Sequence, residues 1–341
     1  MSTLLHRPLS TSFPDIPLSE LEGLLASREW STYSIGIRCR DPLQKDLFSK
    51  AVRVRIADSP LFRGKMIAFE HPDIEIILDE GAGQLTVQVL PLIITGRYTK
   101  LSRFIAQTRH YCYACKGSGR TQGRECPVCH GDKVLTKESV QELIAPFFRD
   151  AFHCDEVLFH GAGREDVDVR MLGNGRPFAL TLENPLVRSV EMGSLQSAIN
   201  DSLVGKVGLL DVRIGIPSDV ASITRAYHTK RYRAVVFSEE IISLEKLDSF
   251  RGQKIDVLQT TPVRVEKRRV MKERPHWVIL EKATKMDEHR IEIELHASAG
   301  CYIKEFISGD AGRSLPSLSE WLGIPCVCQE LDVLEIVDLP Q

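Results

Sequence analysis

The run His160-Gly-Ala-Gly163-Arg164-Glu165-Asp166-Val-Asp168-Val-Arg170 sets two aspartates directly behind a glycine turn. The alternation that follows predicts a strand over 166–171, with Val167 and Val169 on one face and Asp166, Asp168 and Arg170 on the other. A carboxylate at the mouth of a sheet can attack an electrophilic carbon, stabilise a developing cation or hold a divalent metal. It can equally be structural, held by Arg164, Arg170 or Arg176. These residues by themselves leave the alternatives open. A second constellation is sharper. Cys112-x-x-Cys115 and Cys126-x-x-Cys129 lie ten residues apart, with Gly117, Gly119 and Gly131 beside them. Two thiolates on each tight turn and four in all match a closed tetrahedral zinc shell, hence a structural site. Cys39, Cys154, Cys301, Cys326 and Cys328 have no such arrangement and read as small buried hydrophobes. There is no dinucleotide-type Gly-x-Gly-x-x-Gly, P-loop or obvious adenosylmethionine loop, which is consistent with chemistry that needs no small-molecule cofactor.

The elements that must position these groups fall into two sets. A helical pattern covers Ser19–Trp30, Ile35–Arg40, Ile74–Leu78 and Gln84–Leu90 read as strands, and Leu43–Ile56 is helical between the first two. This is a small α+β module. After the glycine-rich insert a helix over Ser139–Ala151 leads into strands at Asp166–Met171, Phe178–Leu182, Gly208–Ile214, Ala234–Phe237, Trp277–Lys282 and Arg290–Ala297. Short helices follow at Ile303–Ser308 and Leu315–Leu322. Strands outnumber helices without regular alternation, which predicts an α+β fold with a central mixed or antiparallel sheet.

With 341 residues the chain is long enough for two domains, and 43% hydrophobic with 26% charged residues is an ordinary globular composition. The longest apolar stretch, Val89–Ile94, is interrupted by Pro91, and the N-terminus has no apolar leader. No membrane span and a cytoplasmic setting with reduced thiols are expected. The net charge of −2 does not decide the partner, but the distribution is uneven. Arg225, His228, Lys230, Arg231 and Arg233 form one basic run, Arg264, Lys267, Arg268, Arg269, Lys272 and Arg274 a second, and Arg97, Lys100, Arg103 and Arg109 a third. Three such runs favour a polyanion.

Gly163-Arg-Glu-Asp166 resembles the Gly-Arg-x-Asp motif of pseudouridine synthases, and the string 161–178 resembles the archaeal and eukaryotic tRNA branch acting on uridines 54 and 55 of the T-loop. Lys230-Arg-Tyr232-Arg-Ala234 is similar to that group's Lys-x-Tyr-x-Ala motif, and Gly300-Cys-Tyr302-Ile303-Lys304 to its Gly-x-Tyr-Ile-Arg/Lys motif. Gly96–Arg103 and Gln107–Arg109 resemble the end of the THUMP-containing RNA-binding part. The resemblance spans about 70–335; it departs in that members often carry a C-x-x-C near the N-terminus, whereas no cysteine precedes Cys39. It implies an RNA-binding accessory unit over 1–110, a zinc knuckle over 111–135 and a catalytic domain of pseudouridine synthase fold over 136–341. It further implies a T-loop tRNA substrate and an isomerase with Asp166 as nucleophile or as stabiliser of a glycal-like intermediate. Lys304 would pair with Asp166, Tyr232 would stack on the uracil and abstract the late proton, and Tyr302 and Ile303 would wall the pocket. Arg164, Arg231 and Arg233 are the candidate substrate-binding cations. A magnesium nuclease using Asp166 and Asp168, and a non-catalytic RNA-binding protein, are the competing readings; oligomeric state is open.

Overall fold

The computed structural model describes residues 4–8, 18–266 and 270–337; Lys267, Arg268 and Arg269 of the second basic run lie outside them. A five-stranded sheet is ordered Leu4–Pro8, Gln84–Val89, Ile74–Asp79, Thr32–Arg38, Met66–Ile67. Helices Leu18–Leu25 and Pro42–Asp58 cover it, their Leu21, Leu25, Val52 and Ile56 sharing one core with Ile74, Ile76, Leu78 and Val87. The first helix stops at Leu25, short of Trp30, whose indole packs edge-on against Phe62.

The second sheet has ten strands. Its order is Val207–Gly215, Leu92–Lys100, Val169–Glu183, Val327–Val337, Thr229–Phe237, Arg290–Ala297, Glu273–Lys285, Lys254–Thr260 and Ser314–Leu315, with Glu156–Gly161 paired to the far half of 169–183. Val169↔Leu331 and Met171↔Val333 register parallel, whereas the 169–183 strand runs antiparallel to 92–100. The sheet is therefore mixed, as the lack of strand–helix alternation predicts. Helix Val140–Phe152 starts where Ser139 Oγ accepts the Glu142 amide at 3.1 Å, a side-chain N-cap. Val140, Ile144, Phe148 and Phe152 then recur every fourth residue and sink into the main core with Phe178, Leu180 and Leu182. Among the described residues no helix is long and apolar enough to cross a membrane.

Several elements depart from expectation. Strands Leu92–Lys100, Glu156–Gly161, Lys254–Thr260 and Val327–Val337 and helices Met192–Ser202 and Pro217–Arg225 were not legible. The 92–100 strand follows Pro91, and its first four residues, Leu92, Ile93, Ile94 and Thr95, are buried in succession, so both faces are covered there. Such a strand need not alternate. Its place in the larger sheet also moves the junction between the two units back to about residue 90, not 110. Across that junction Arg188 Nη1 meets Asp73 Oδ1 at 3.0 Å, and Glu29 Oε2 accepts the amides of Arg188 and Ser189.

The strand expected at 166–171 begins only at Val169, because 166–168 form a turn closed by Val169 N donating to Asp166 O at 3.2 Å. Phe178–Leu182 is the far end of that same strand, separated by a bulge between Met171 and Arg176. The bulge requires glycine: at Gly173 φ is +55°, and a Cβ there would sit 1.9 Å from Leu334 O. The helix expected at 315–322 is confined to Leu318–Leu322.

Candidate active site

The turn 162–168 is tied down through its carbonyls. Arg176 Nη1 donates to Ala162 O at 2.8 Å, Gln107 Nε2 to Gly163 O at 2.9 Å, and Arg103 Nη1 to Asp168 O at 2.9 Å. Lys100 Nζ donates to Val167 O at 2.7 Å and Asp166 O at 3.3 Å. Beneath the turn Glu165 is buried, its Oε2 ion-paired with Arg176 Nε at 2.8 Å, and it accepts from the Tyr98 hydroxyl at 2.9 and 3.0 Å. Burial lowers the Lys100 ammonium to about 8, although Glu165 and Asp168 oppose the shift. Lys100 and Arg103, expected to face a polyanion, are thus internal supports; Arg109 pairs with Glu142 at 3.3 Å.

Above the turn the Asp166 carboxylate opens into a cavity of about 320 Å³, within the usual range for ligand sites. Its Oδ2 lies 2.9 Å from Arg264 Nη1 and 3.5 Å from Lys304 Nζ. Lys304, expected to pair with Asp166, is held more closely by Asp168, both of whose oxygens accept from Nζ at 2.8 Å. The turn explains this, since it swings Asp168 outward to where the first turn of helix Ile303–Ser308 delivers Lys304. Burial would raise the Asp168 carboxyl, but Lys304 outweighs it and the group stays below the usual carboxylate range. Arg264 is anchored in turn by Glu305, Nε to Oε1 at 2.5 Å.

The remaining wall comes from two strands and the 300–304 segment. Tyr232, Tyr302, Ile303 and Arg164 all line the cavity. Burial pushes the Tyr232 phenol well above its ordinary range, so at neutral pH it carries its proton, which opposes its expected service as a base. Tyr302 is fixed through its backbone: Gln259 accepts from its amide at 2.8 Å and donates to its carbonyl at 3.0 Å. Arg231 and Arg233 are not at the cavity. Being odd-numbered neighbours of Tyr232 they project from the opposite face, Arg231 to Glu335 at 2.7 Å and Arg233 to Asp332 at 2.8 Å. Sequence reasoning did not single out Lys230, Arg176 and Gln259 for this site. Lys230 had a signal, its i, i+2 spacing from Tyr232; Gln259 had none.

Five cations, Arg164, Arg176, Lys230, Arg264 and Lys304, line the cavity against the carboxylates Glu165 and Asp166. A divalent ion between Asp166 and Asp168 would meet the Lys304 ammonium and the Arg264 guanidinium already lodged there, which disfavours the nuclease arrangement. Away from the cavity the four Sγ atoms of Cys112, Cys115, Cys126 and Cys129 are buried and lie within 4.8 Å of one another. Cys112–Cys126 and Cys115–Cys129 are 3.8 and 3.6 Å apart. Tetrahedral sulfurs about 2.3 Å from a zinc ion would be spaced by about 3.8 Å, so the cluster fits that metal.

A model of the Pus10 C-terminal domain matches residues 93–337, beginning where the sequence enters the ten-stranded sheet. The chain belongs to this family. The tRNA pseudouridine synthase Pus10 of Methanocaldococcus jannaschii is 36% identical over 92% of this chain and 70% of its own length. Those of Methanothermobacter marburgensis and Methanopyrus kandleri are 39% and 40% identical over 79% of this chain, and 65% and 62% of their own. The chain thus spans about two thirds of the length of these three relatives, each named a tRNA pseudouridine synthase. A solved Cbf5–Nop10–Gar1 complex aligns over 69% of this chain and 61% of that one at 12% identity, with a TM-score of 0.31, a likeness too slight to add to the Pus10 assignment.

Proposed function

We propose that this Pus10-family chain isomerises uridine to pseudouridine in the T-loop of tRNA, at position 54, 55 or both, with Asp166 as the nucleophile. The observation that carries the reading is Asp166 itself, a carboxylate open to a cavity of uracil-accepting size and paired with Arg264 and Lys304. The target nucleotide must leave the RNA stack to enter, at a cost of roughly a few kcal/mol. Tyr232 and Tyr302 then offer aromatic walls for the base, Lys304 and Arg264 keep Asp166 aimed, and Asp168 orients Lys304. Attack at C1′ expels the uracil ring with the N1–C1′ electron pair. The ring turns, C5 bonds to C1′, the ester to Asp166 breaks, and a proton leaves C5 as N1 gains one. The sum is an isomerisation without cofactor.

The four cysteines would hold structural zinc. The knuckle they organise presents Lys116, Arg120, Arg124, Lys133 and Lys137 at its surface, and this exposed set replaces the runs at 225–233 and 97–109, which are largely internal or paired, as the phosphate-binding surface. The five-stranded unit would act beside it as a THUMP-like RNA-holding module. The test is incubation with an unmodified tRNA transcript and mapping of pseudouridine. Product at 54 or 55 is expected from the wild type and none from Asp166→Ala, which should still bind the transcript; unchanged product in that variant removes Asp166 from the chemistry, and binding without product in both favours a non-catalytic protein.

A further inference from the structure

One side chain of the cavity has no part in that sequence of steps. Lys230 stands two residues before Tyr232 on the Thr229–Phe237 strand, so both project to the same face and both line the cavity with Asp166. It is half-buried, and its Nζ gives one N–H to His228 O at 3.1 Å. The carboxylates that share the cavity are taken by others, Glu165 by Arg176 and Asp166 by Arg264 and Lys304. Among the described residues Lys230 forms no ion pair. The charged and titratable groups around it are Arg176 on the 169–183 strand, Glu165 and Asp166 on the turn, Arg264 and Lys304 on the opposite wall, and His228 and Tyr232 on its own segment. Burial, with Arg176 adding to it, lowers its ammonium to about 8. A cation desolvated beside another cation weakens the fold, and groups of that kind are kept where chemistry uses them. Two of its N–H donors are left over and the cavity is the space they can serve.

We infer that Lys230 is a catalytic residue that donates to a carbonyl oxygen of the target uracil and holds the negative charge the ring acquires when its N1–C1′ bond breaks. The inference rests on the reading above. The electron pair of that bond passes into the ring and is shared by its carbonyl oxygens, where an ammonium donor is stronger than in the neutral ground state. The charge is gone once C5 has bonded to C1′, and the later loss of the C5 proton is matched by the proton that N1 gains. Lys230 ends with the protons it began with.

The experiment measures single-turnover rates for wild type, Lys230→Met and Lys230→Arg from pH 6 to 9.5. One transcript carries uridine and another carries 5-fluorouridine at the mapped position, because fluorine withdraws charge from the expelled ring and makes the donor less necessary. On uridine at pH 7, Lys230→Met should be slower by about 10²-fold, the usual loss for one such donor. On 5-fluorouridine, followed as its rearrangement, the loss should be under about 10-fold. The wild-type rate should fall as pH rises through about 8 while that of Lys230→Arg does not. Lys230→Met should melt no lower than wild type. Equal losses on both transcripts, an alkaline limb kept by Lys230→Arg, or a Lys230→Met chain that unfolds would each overturn the assignment. A wild type that makes no pseudouridine overturns the proposed function instead.

Discussion

Replacing Arg176 by methionine removes one half of a pair that has almost no access to water. The side chains of Arg176 and Glu165 are 2% and 1% exposed and 2.8 Å apart. Without the guanidinium, Glu165 keeps only the Tyr98 hydroxyl as a donor among the described residues. Stranding one buried charge costs about 3–5 kcal/mol. At about 2–4 °C per kcal/mol for a domain of this size, the melting temperature should fall by about 6–20 °C. The second replacement, Glu165→Gln, takes away the stranded charge, so Arg176→Met/Glu165→Gln should recover a good part of that loss instead of deepening it. Asp166→Ala is the control: its pair with Arg264 spans the same distance but is 42% and 39% exposed, and should move stability by less than about 1 kcal/mol. Thermal melts followed by far-ultraviolet circular dichroism measure the wild type, Arg176→Met, Glu165→Gln, the double variant and Asp166→Ala. A loss below about 1 kcal/mol in Arg176→Met, or a double variant as weak as the sum of its parts, refutes the idea that this pair is the electrostatic floor of the turn.

Asp332 is buried, accepts from Arg170 and Arg233 and is ion-paired with Arg103; burial raises its carboxyl, but the arginines outweigh it and the net shift is downward. Its contribution is therefore complete above the unfolded value of about 3.9 and is lost as pH falls through the lower folded one, an acid step that urea titrations should find missing in Asp332→Asn. Elemental analysis should return about one zinc per folded chain, and Cys126→Ala should lose it; a folded, zinc-free wild type would contradict the cluster geometry. Binding of tRNA should weaken steeply with salt. The combined Lys116→Glu, Arg120→Glu and Lys133→Glu variant should flatten the log–log slope by about 2–3, and an unaltered slope would place the phosphates elsewhere.

The periodic elements were readable because their burial is one-sided. Helix 140–152 shows its apolar residues every fourth position behind a serine cap, and the 290–297 strand buries Ile291, Ile293, Leu295 and Ala297 in strict alternation. Leu92–Lys100 was not, since Leu92, Ile93, Ile94 and Thr95 are buried in succession and leave no wet face to reveal the period. The three motifs do meet at one cavity, yet their partners depended on contacts between distant segments: Gln259 reaches Tyr302 across 43 positions and Arg264 reaches Glu305 across 41. Lys304 was given Asp166 as its partner by the family resemblance alone, and the turn at 166–168 presents Asp168 to it first.

The five carbonyls of the turn, caught by Arg176, Gln107, Lys100 and Arg103, bear on how binding energy is spent. A loop that must be ordered by its substrate draws on the substrate's own contacts, at about 1–2 kcal/mol of backbone entropy per residue. Here that order is built into the free chain, from side chains rooted in or beside the 92–100 strand and in the 169–183 strand. Preorganisation of this kind leaves the contacts with RNA available for another demand, drawing one nucleotide out of a folded loop.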